Sequence, residues 1–316
     1  MCIISALYKK YVVHRYDPDG VIKYFTYEDF DGMTAEPIAF ATPQGVELKG
    51  NIYAYPNADA GSLVVLAHGI GGGHRSYLRE IERICREGYR VVGFDNAGCF
   101  ASGGESIRGL TESCNDLNAC LTWLRSQPRF AETRISLIGH SWGGYAVGNV
   151  LNLRDDIYAA VVISGFASVE GFLRASLKGK PGFIRRGIMR FERKANPDCV
   201  DLCSADALEK TSAKVLVIHS RDDAVVPFAC GLEYVRTRVS NPNVRFLIIE
   251  DKGHNPHYSA DALAYMNAGF GEYNRLVAKK KLRTDAEKRA FTADWDYYRM
   301  TEQDEDVWKE IFDIIR

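Results

Sequence analysis

A chain of 316 residues is long enough for one large α/β domain with a small insertion, or for two ordinary domains. Its hydrophobic share of 46% and charged share of 26% are those of an ordinary globular protein rather than a disordered or fibrous one. A formal net charge of −1 lacks the basic excess of nucleic-acid binders. No run of about 18 apolar residues is present to span a membrane.

The N-terminus, Met1 to Leu7, is briefly apolar and runs into Tyr8-Lys9-Lys10-Tyr11. A secretory leader places its charge before the apolar run and a small-residue cleavage site after it. Neither is present, so a cytoplasmic chain is expected. The eight cysteines, Cys2, Cys85, Cys99, Cys114, Cys120, Cys199, Cys203 and Cys230, are then expected to be reduced and structural. Residues 1–35 read as an N-terminal extension. Glu36 to Ala41 and Val46 to Tyr55 flank the turn signal Thr42-Pro43-Gln44-Gly45 and predict a hairpin.

From residue 62 strands and helices alternate. Leu63 to Ala67 is wholly apolar, as a strand buried on both faces should be. Tyr77, Leu78, Ile81, Ile84 and Cys85 follow at helical spacing and Gly88 ends that segment. Arg90 to Asp95 reads as a strand, and Leu110, Cys114, Leu117, Leu121 and Leu124 as one face of a helix. Ile135 to Ile138 is a strand followed by a helix from Tyr145 to Leu153. Ala159 to Ile163, Lys214 to Ile218 and Val244 to Ile249 are three further strands. The pattern predicts an α/β fold: an eight-stranded, mostly parallel sheet with helices on both faces.

Residues 166–212 interrupt the alternation and predict a small helical cap inserted between core segments 36–165 and 213–316. The insert is rich in bases, including Lys178, Lys180, Arg185, Arg186, Arg190, Arg193 and Lys194. It reads either as a solvated cap or as a lid that meets an anionic substrate or membrane surface. Lys279-Lys280-Lys281 reads as an exposed helix face. Val307, Trp308, Ile311, Phe312 and Ile315 predict a last amphipathic helix docked on the sheet.

The chemistry centres on Gly139-His140-Ser141-Trp142-Gly143, a Gly-x-Ser-x-Gly sequence between a strand and a helix. Such a serine sits on a strained turn where flanking side chains would clash. Serine needs a base, and His254 follows the last strand, with His257 its only close rival. An orienting carboxylate is expected after the preceding strand, where Asp222 and Asp223 both stand. His68 reads as a prop for the loop it begins, and Asp95 as a tie for the loop after its strand. No cluster has metal-ligand spacing.

Four blocks carry a resemblance to a known family: His68-Gly69-Ile70-Gly71-Gly72; Phe94 to Gly98 with Ser102-Gly103-Gly104; Gly139 to Gly144; and Asp223 to Pro227 with Gly253-His254. Over roughly residues 36 to 275 the chain resembles the α/β-hydrolase superfamily, in its esterase, monoacylglycerol-lipase and serine-aminopeptidase-like branch. The insert is similar to the cap of bacterial feruloyl esterases. The resemblance implies a triad of Ser141, Asp223 and His254, with Asp223 chosen over Asp222 because it precedes the Val-Pro run. It also implies an oxyanion hole of the Ile70 and Trp142 backbone amides, no cofactor, and a small-molecule ester as substrate. His140 and His219 flank the site without an implied proton-transfer role. The Phe94 block departs from the usual Arg-Gly-His or Asn-Gly-His after the aspartate, which bears on the shape of the acyl pocket. An aminopeptidase, amidase or acyltransferase with the same triad is the alternative within enzymes. A non-catalytic binding protein of the same fold is the alternative outside them. Neither stable membrane insertion nor nucleic-acid binding is expected, and the oligomeric state stays open.

Overall fold

In a computed structural model, which describes residues 3–316, eight strands form one sheet. They are β1 Thr34–Ala41, β2 Glu47–Ala54, β3 Ser62–Ala67, β4 Arg90–Phe94, β5 Arg134–His140, β6 Ala159–Ile163, β7 Lys214–Ser220 and β8 Val244–Ile249. The helices are α1 Ile3–Tyr11, α2 Leu78–Arg86, α3 Glu112–Ser126, α4 Trp142–Val150, α5 Val169–Ser176, α6 Gly182–Ala195 and α7 Ser204–Lys210. They continue as α8 Leu232–Arg236, α9 Ala260–Ala278, α10 Asp285–Thr292, α11 Tyr297–Met300 and α12 Glu305–Ile315.

The strand order is β1-β2-β4-β3-β5-β6-β7-β8. β2 runs antiparallel to both β1 and β4, and every other pairing is parallel. The order reverses around β3, which has β4 on one side and β5 on the other. In open α/β sheets such a reversal leaves a crevice beyond the carboxyl ends of the strands. The apolar run of β3 explains its central place: Leu63, Val65 and Ala67 join the core on one face, Val64 and Leu66 that on the other. α3 and α4 cover the first face. α2 and α12 cover the second, with Trp308, Ile311, Phe312 and Ile315 buried as the stripe predicts.

Several boundaries differ from the sequence reading. Thr34 and Ala35, read as extension, already belong to β1, where they pair with Ala54 and Tyr53. The helix expected from Tyr145 begins at Trp142. Gly143 and Gly144 look like helix breakers, yet they serve close packing inside the helix. Of the insert 166–212, α7 packs on α4: a Cβ on Gly148 would lie 2.9 Å from that of Ser204. Lys279 caps α9 and Lys280 turns left-handed at φ 56°, so Lys279-Lys280-Lys281 is a helix-ending turn rather than a helix face. Among the described residues every cysteine is unbridged, and all but the half-buried Cys203 are buried. Cys2 lies outside the described residues. Among the described residues no helix is long and apolar enough to cross a membrane.

Candidate active site

Every residue singled out for chemistry follows a strand at the same end of the sheet. Ser141 joins β5 to α4 at φ 58°, ψ −115°, a strained conformation for a residue with a side chain. The residues two positions away on either side must be glycine. A Cβ on Gly143 would lie 2.0 Å from the Ala67 carbonyl oxygen, and one on Gly139 2.2 Å from that of Gly143. The Ser141 amide donates to the Ile163 carbonyl, which ties the turn to β6.

His68 and Gly69 leave β3 alongside this turn, so close that a Cβ on Gly69 would lie 3.5 Å from the Ser141 Cβ. The Asn96 amide donates to His68 Nε2, so the ring proton sits on Nδ1 and donates to the Gly69 carbonyl at 2.8 Å. Burial lowers the His68 pKa and keeps the ring neutral, as this tautomer requires. Two amides of these loops have no acceptor among the described residues: Ile70, which follows Gly69 and has a partly exposed side chain, and Trp142, which follows Ser141 as the first residue of α4. The Trp142 indole donates to the Leu110 carbonyl at 2.5 Å, which anchors the start of the helix.

Asp223 and His254 meet. His254 Nδ1 lies 2.8 Å from Asp223 Oδ2, while Asp223 Oδ1 accepts from the Val225 and Val226 amides at 2.8 and 2.9 Å. Burial alone would raise the Asp223 pKa. Hydrogen bonds from His219 and His254 outweigh it and hold the carboxyl far below the usual range. Asp222 points elsewhere: its Oδ1 accepts from Ser220 Oγ at 2.5 Å and from the Gly253 amide at 2.9 Å, bracing the loop that carries His254. The polar partners of His254 are Asp223 and His140; no hydrogen bond joins it to Ser141 Oγ. Such contacts often tighten only when substrate binds. His257 is buried, and its polar partner is Glu80 at 3.3 Å.

Two features went unread in the sequence. His219 Nε2 lies 3.1 Å from Asp223 Oδ2 and 2.9 Å from the Val226 carbonyl, so two histidines share one carboxylate oxygen. Tyr77, read as part of an apolar helix face, precedes α2, and its hydroxyl reaches the site. It accepts from the Gly69 amide at 3.0 Å and lies 2.9 Å from His140 Nδ1. The pattern behind the misreading is real, because a phenol ring packs like any apolar side chain while its hydroxyl reaches further. The departure after Phe94 has a local partner. Tyr16 pairs with this loop through Gly98 and Phe100, and Arg15 donates to the Ser102 and Gly104 carbonyls. Asp95 accepts from the His74 amide and ring and from the Ala101 amide, tying two loops together.

The sheet order, the strained serine and the aligned carboxylate and imidazole define an α/β-hydrolase from the serine-hydrolase families. The profile of the prolyl oligopeptidase family matches residues 108–273, just over half of the chain, and the chain belongs to that family. The X-Pro dipeptidyl-peptidase (S15) profile matches residues 39–174. The acylamino-acid-releasing enzyme of Rattus norvegicus is 22% identical over 65% of this chain and 30% of its own length. The quorum-quenching protein AidA of Acinetobacter baumannii is 30% identical over 40% of this chain and 42% of its own. The chain thus spans well under half the length of these curated relatives. Among solved structures, a Pyrococcus furiosus esterase shares the fold at a TM-score of 0.60 and 20% identity, covering 88% of this chain and 99% of that one. Est1E of Butyrivibrio proteoclasticus does so at 0.54 and 18%, covering 75% and 97%.

Proposed function

We propose that the chain hydrolyses a carboxylic ester through an acyl-enzyme, with Ser141 as nucleophile, His254 as base and Asp223 as the orienting acid. The observation that carries this reading is the 2.8 Å contact of His254 Nδ1 with Asp223 Oδ2 at the strand ends beside the strained Ser141. With the ring proton on Nδ1 and facing the carboxylate, Nε2 keeps a lone pair for the serine proton. Ser141 Oγ attacks the carbonyl carbon as His254 takes its proton. The amides of Ile70 and Trp142 stabilise the oxyanion. His254 then protonates the leaving alcohol, and water, deprotonated by the same imidazole, releases the acid and restores the serine. An ester is favoured because an alcohol leaves more readily than an amine. No step calls for a cofactor or metal.

The family match favours a second reading, in which the bond cut is an amide, as the name of the acylamino-acid-releasing enzyme suggests for that relative. Both readings use the same triad. p-Nitrophenyl acetate, butyrate and octanoate, set against N-acetyl-alanine p-nitroanilide, separate them. The ester reading expects kcat/KM at least a hundredfold higher on the best ester than on the anilide, with both activities gone in Ser141→Ala. A reversed ratio would make the amide reading correct.

A further inference from the structure

α1 carries two apolar faces, and only one of them is covered. Ile4 and Tyr8, one turn apart, lie against α6: a Cβ on Gly187 would sit 3.1 Å from Ile4, and the Tyr8 ring meets Phe191 edge-on at 5.5 Å. Ile3, Leu7 and Tyr11 follow one another at four-residue spacing and form a second stripe. They are 78%, 51% and 66% exposed. Phe183, at the start of α6, is 57% exposed. These four side chains are nearly half of the nine large apolar ones exposed among the described residues.

The charge around them is mainly basic. On α6, Phe183, Arg186, Arg190 and Lys194 recur at helical spacing and all are exposed, while Ile188, Met189 and Glu192 turn inward. Lys9 and Lys10 continue the basic surface on α1. Among the described residues no carboxylate pairs with any of these five bases. Three acids of the insert are engaged: Glu170 with Arg174 and Arg185, Asp201 with Arg193, and buried Glu192 with the Tyr8 hydroxyl and the Leu110 amide. Between the helices runs a groove of about 840 Å³, where Ile4, Phe183 and Phe191 meet Lys9, Arg190 and Lys194. The whole chain has a formal net charge of only −1, so this basic surface is a local feature.

We propose that the α1–α6 face docks on the surface of a bilayer containing anionic lipid, with α1 lying in the interfacial plane. An anionic bilayer matches both halves of the surface. Its headgroups meet the bases, and the acyl boundary takes Ile3, Leu7, Tyr11 and Phe183. A soluble polyanion would satisfy only the bases and leave the apolar stripe in water. A second copy of the chain would set bases against bases. With nine residues α1 is about 13 Å long, enough to lie in the interface and too short to cross it.

The test is co-sedimentation of the full chain with sucrose-loaded vesicles of phosphatidylcholine alone or with 30 mol% phosphatidylglycerol. The proposal expects binding to the anionic vesicles at 0.1 M salt and at least tenfold weaker binding to phosphatidylcholine or at 0.5 M salt. Replacing Arg190 and Lys194 by Gln should weaken binding about fivefold per base. Leu7→Ser with Phe183→Ser should weaken it at least tenfold. These side chains are exposed, so Tm and the hydrolysis of a soluble ester should match the parent protein in each variant. Loss of ester activity in the parent would overturn the proposed function and leave this proposal standing. Absence of binding to anionic vesicles, or equal binding to both vesicle types, overturns the proposal. So does unchanged binding in the serine variant, which would mark a polyanion site. A dimer by light scattering that Leu7→Ser dissolves would assign the stripe to self-association and overturn it as well.

Discussion

The Tyr77 hydroxyl and His140 Nδ1 stand 2.9 Å apart in a part-buried chain of hydrogen bonds whose direction is fixed at every step. His140 Nε2 lies 2.7 Å from the His254 carbonyl, which can only accept, so the ring proton is on Nε2. Nδ1 is therefore an acceptor and takes the Tyr77 hydroxyl proton. The Tyr77 oxygen in turn accepts from the Gly69 amide. The chain joins the loop that carries Ile70 to the loop that carries His254, passing through the residue next to Ser141.

Tyr77→Phe removes the middle of that chain and leaves the Gly69 amide and His140 Nδ1 without partners. A buried group left unsatisfied costs about 1–3 kcal/mol, so chemical denaturation should show a loss of that size. If the chain also sets the oxyanion loop against the base, kcat for ester hydrolysis should fall about tenfold, since interactions made in the transition state act on kcat. Stability lost with kcat unchanged would limit Tyr77 to a structural part.

His140 also predicts a pH dependence of folding. Burial, together with the neighbouring His254 and His257, holds its pKa well below the usual value. Below about pH 6.5 the unfolded chain takes up a proton that the folded ring refuses, so stability falls as pH falls through that region. Above it, both states are neutral and the contribution is flat. Replacing His140 by Gln should reduce the slope of unfolding free energy between pH 5 and 6 by up to about 1.4 kcal/mol per pH unit. Equal slopes in the two proteins would show that the imidazole is protonated in the folded state.

Asp223 and Asp222, adjacent in sequence, predict different losses. Asp223→Asn removes the acceptor that fixes the His254 tautomer, and kcat should fall by about 10⁴ at unchanged fold. Asp222→Asn keeps an oxygen for Ser220 Oγ and the Gly253 amide and should stay within about tenfold of the parent, because its side chain makes no hydrogen bond with His254. Stopped-flow measurement of acylation with p-nitrophenyl acetate compares the two. Equal losses would move the orienting part away from Asp223.

Glu192 joins three elements: α6 carries it, Tyr8 of α1 donates to it, and the Leu110 amide before α3 donates at 2.9 Å. Burial raises its pKa. Glu192→Ala should cost about 1–3 kcal/mol by leaving the Leu110 amide and the Tyr8 hydroxyl unpaired. It should also loosen α1, seen as faster amide exchange over residues 3–11. Glu192→Gln keeps a carbonyl acceptor and should lose less. Equal exchange in all three proteins would show that α1 is held by Ile4 and Phe191 alone.

The central strands were legible because each is short, apolar and buried on both faces, so composition alone marks Leu63 to Ala67 or Ala159 to Ile163. The turn at Ser141 was legible because glycines flank a serine between a strand and a helix. Other features depend on contacts between residues distant in the chain. Nothing local orders β4 beside β2, and nothing in Tyr77 announces a bond to a residue 63 positions away. His219 reads as flanking the site just after the strand Lys214 to Ile218, and only the turn at Asp223 brings the carboxylate back to it. The pairing of Tyr16 with the loop after Phe94 joins segments over 80 residues apart, so the departure there had no visible cause in sequence. The basic insert was visible as composition, while its joining to α1 through Ile4 and Tyr8 was not.

The central claim is that Ser141 is a nucleophile activated by His254. Labelling with a fluorophosphonate, followed by mass spectrometry of the peptide that contains residue 141, tests it most directly. The account predicts one adduct per chain, on Ser141, with the rate reduced at least a thousandfold in His254→Ala and no adduct in Ser141→Ala. An adduct on another serine, or no adduct on the folded parent protein, would contradict it.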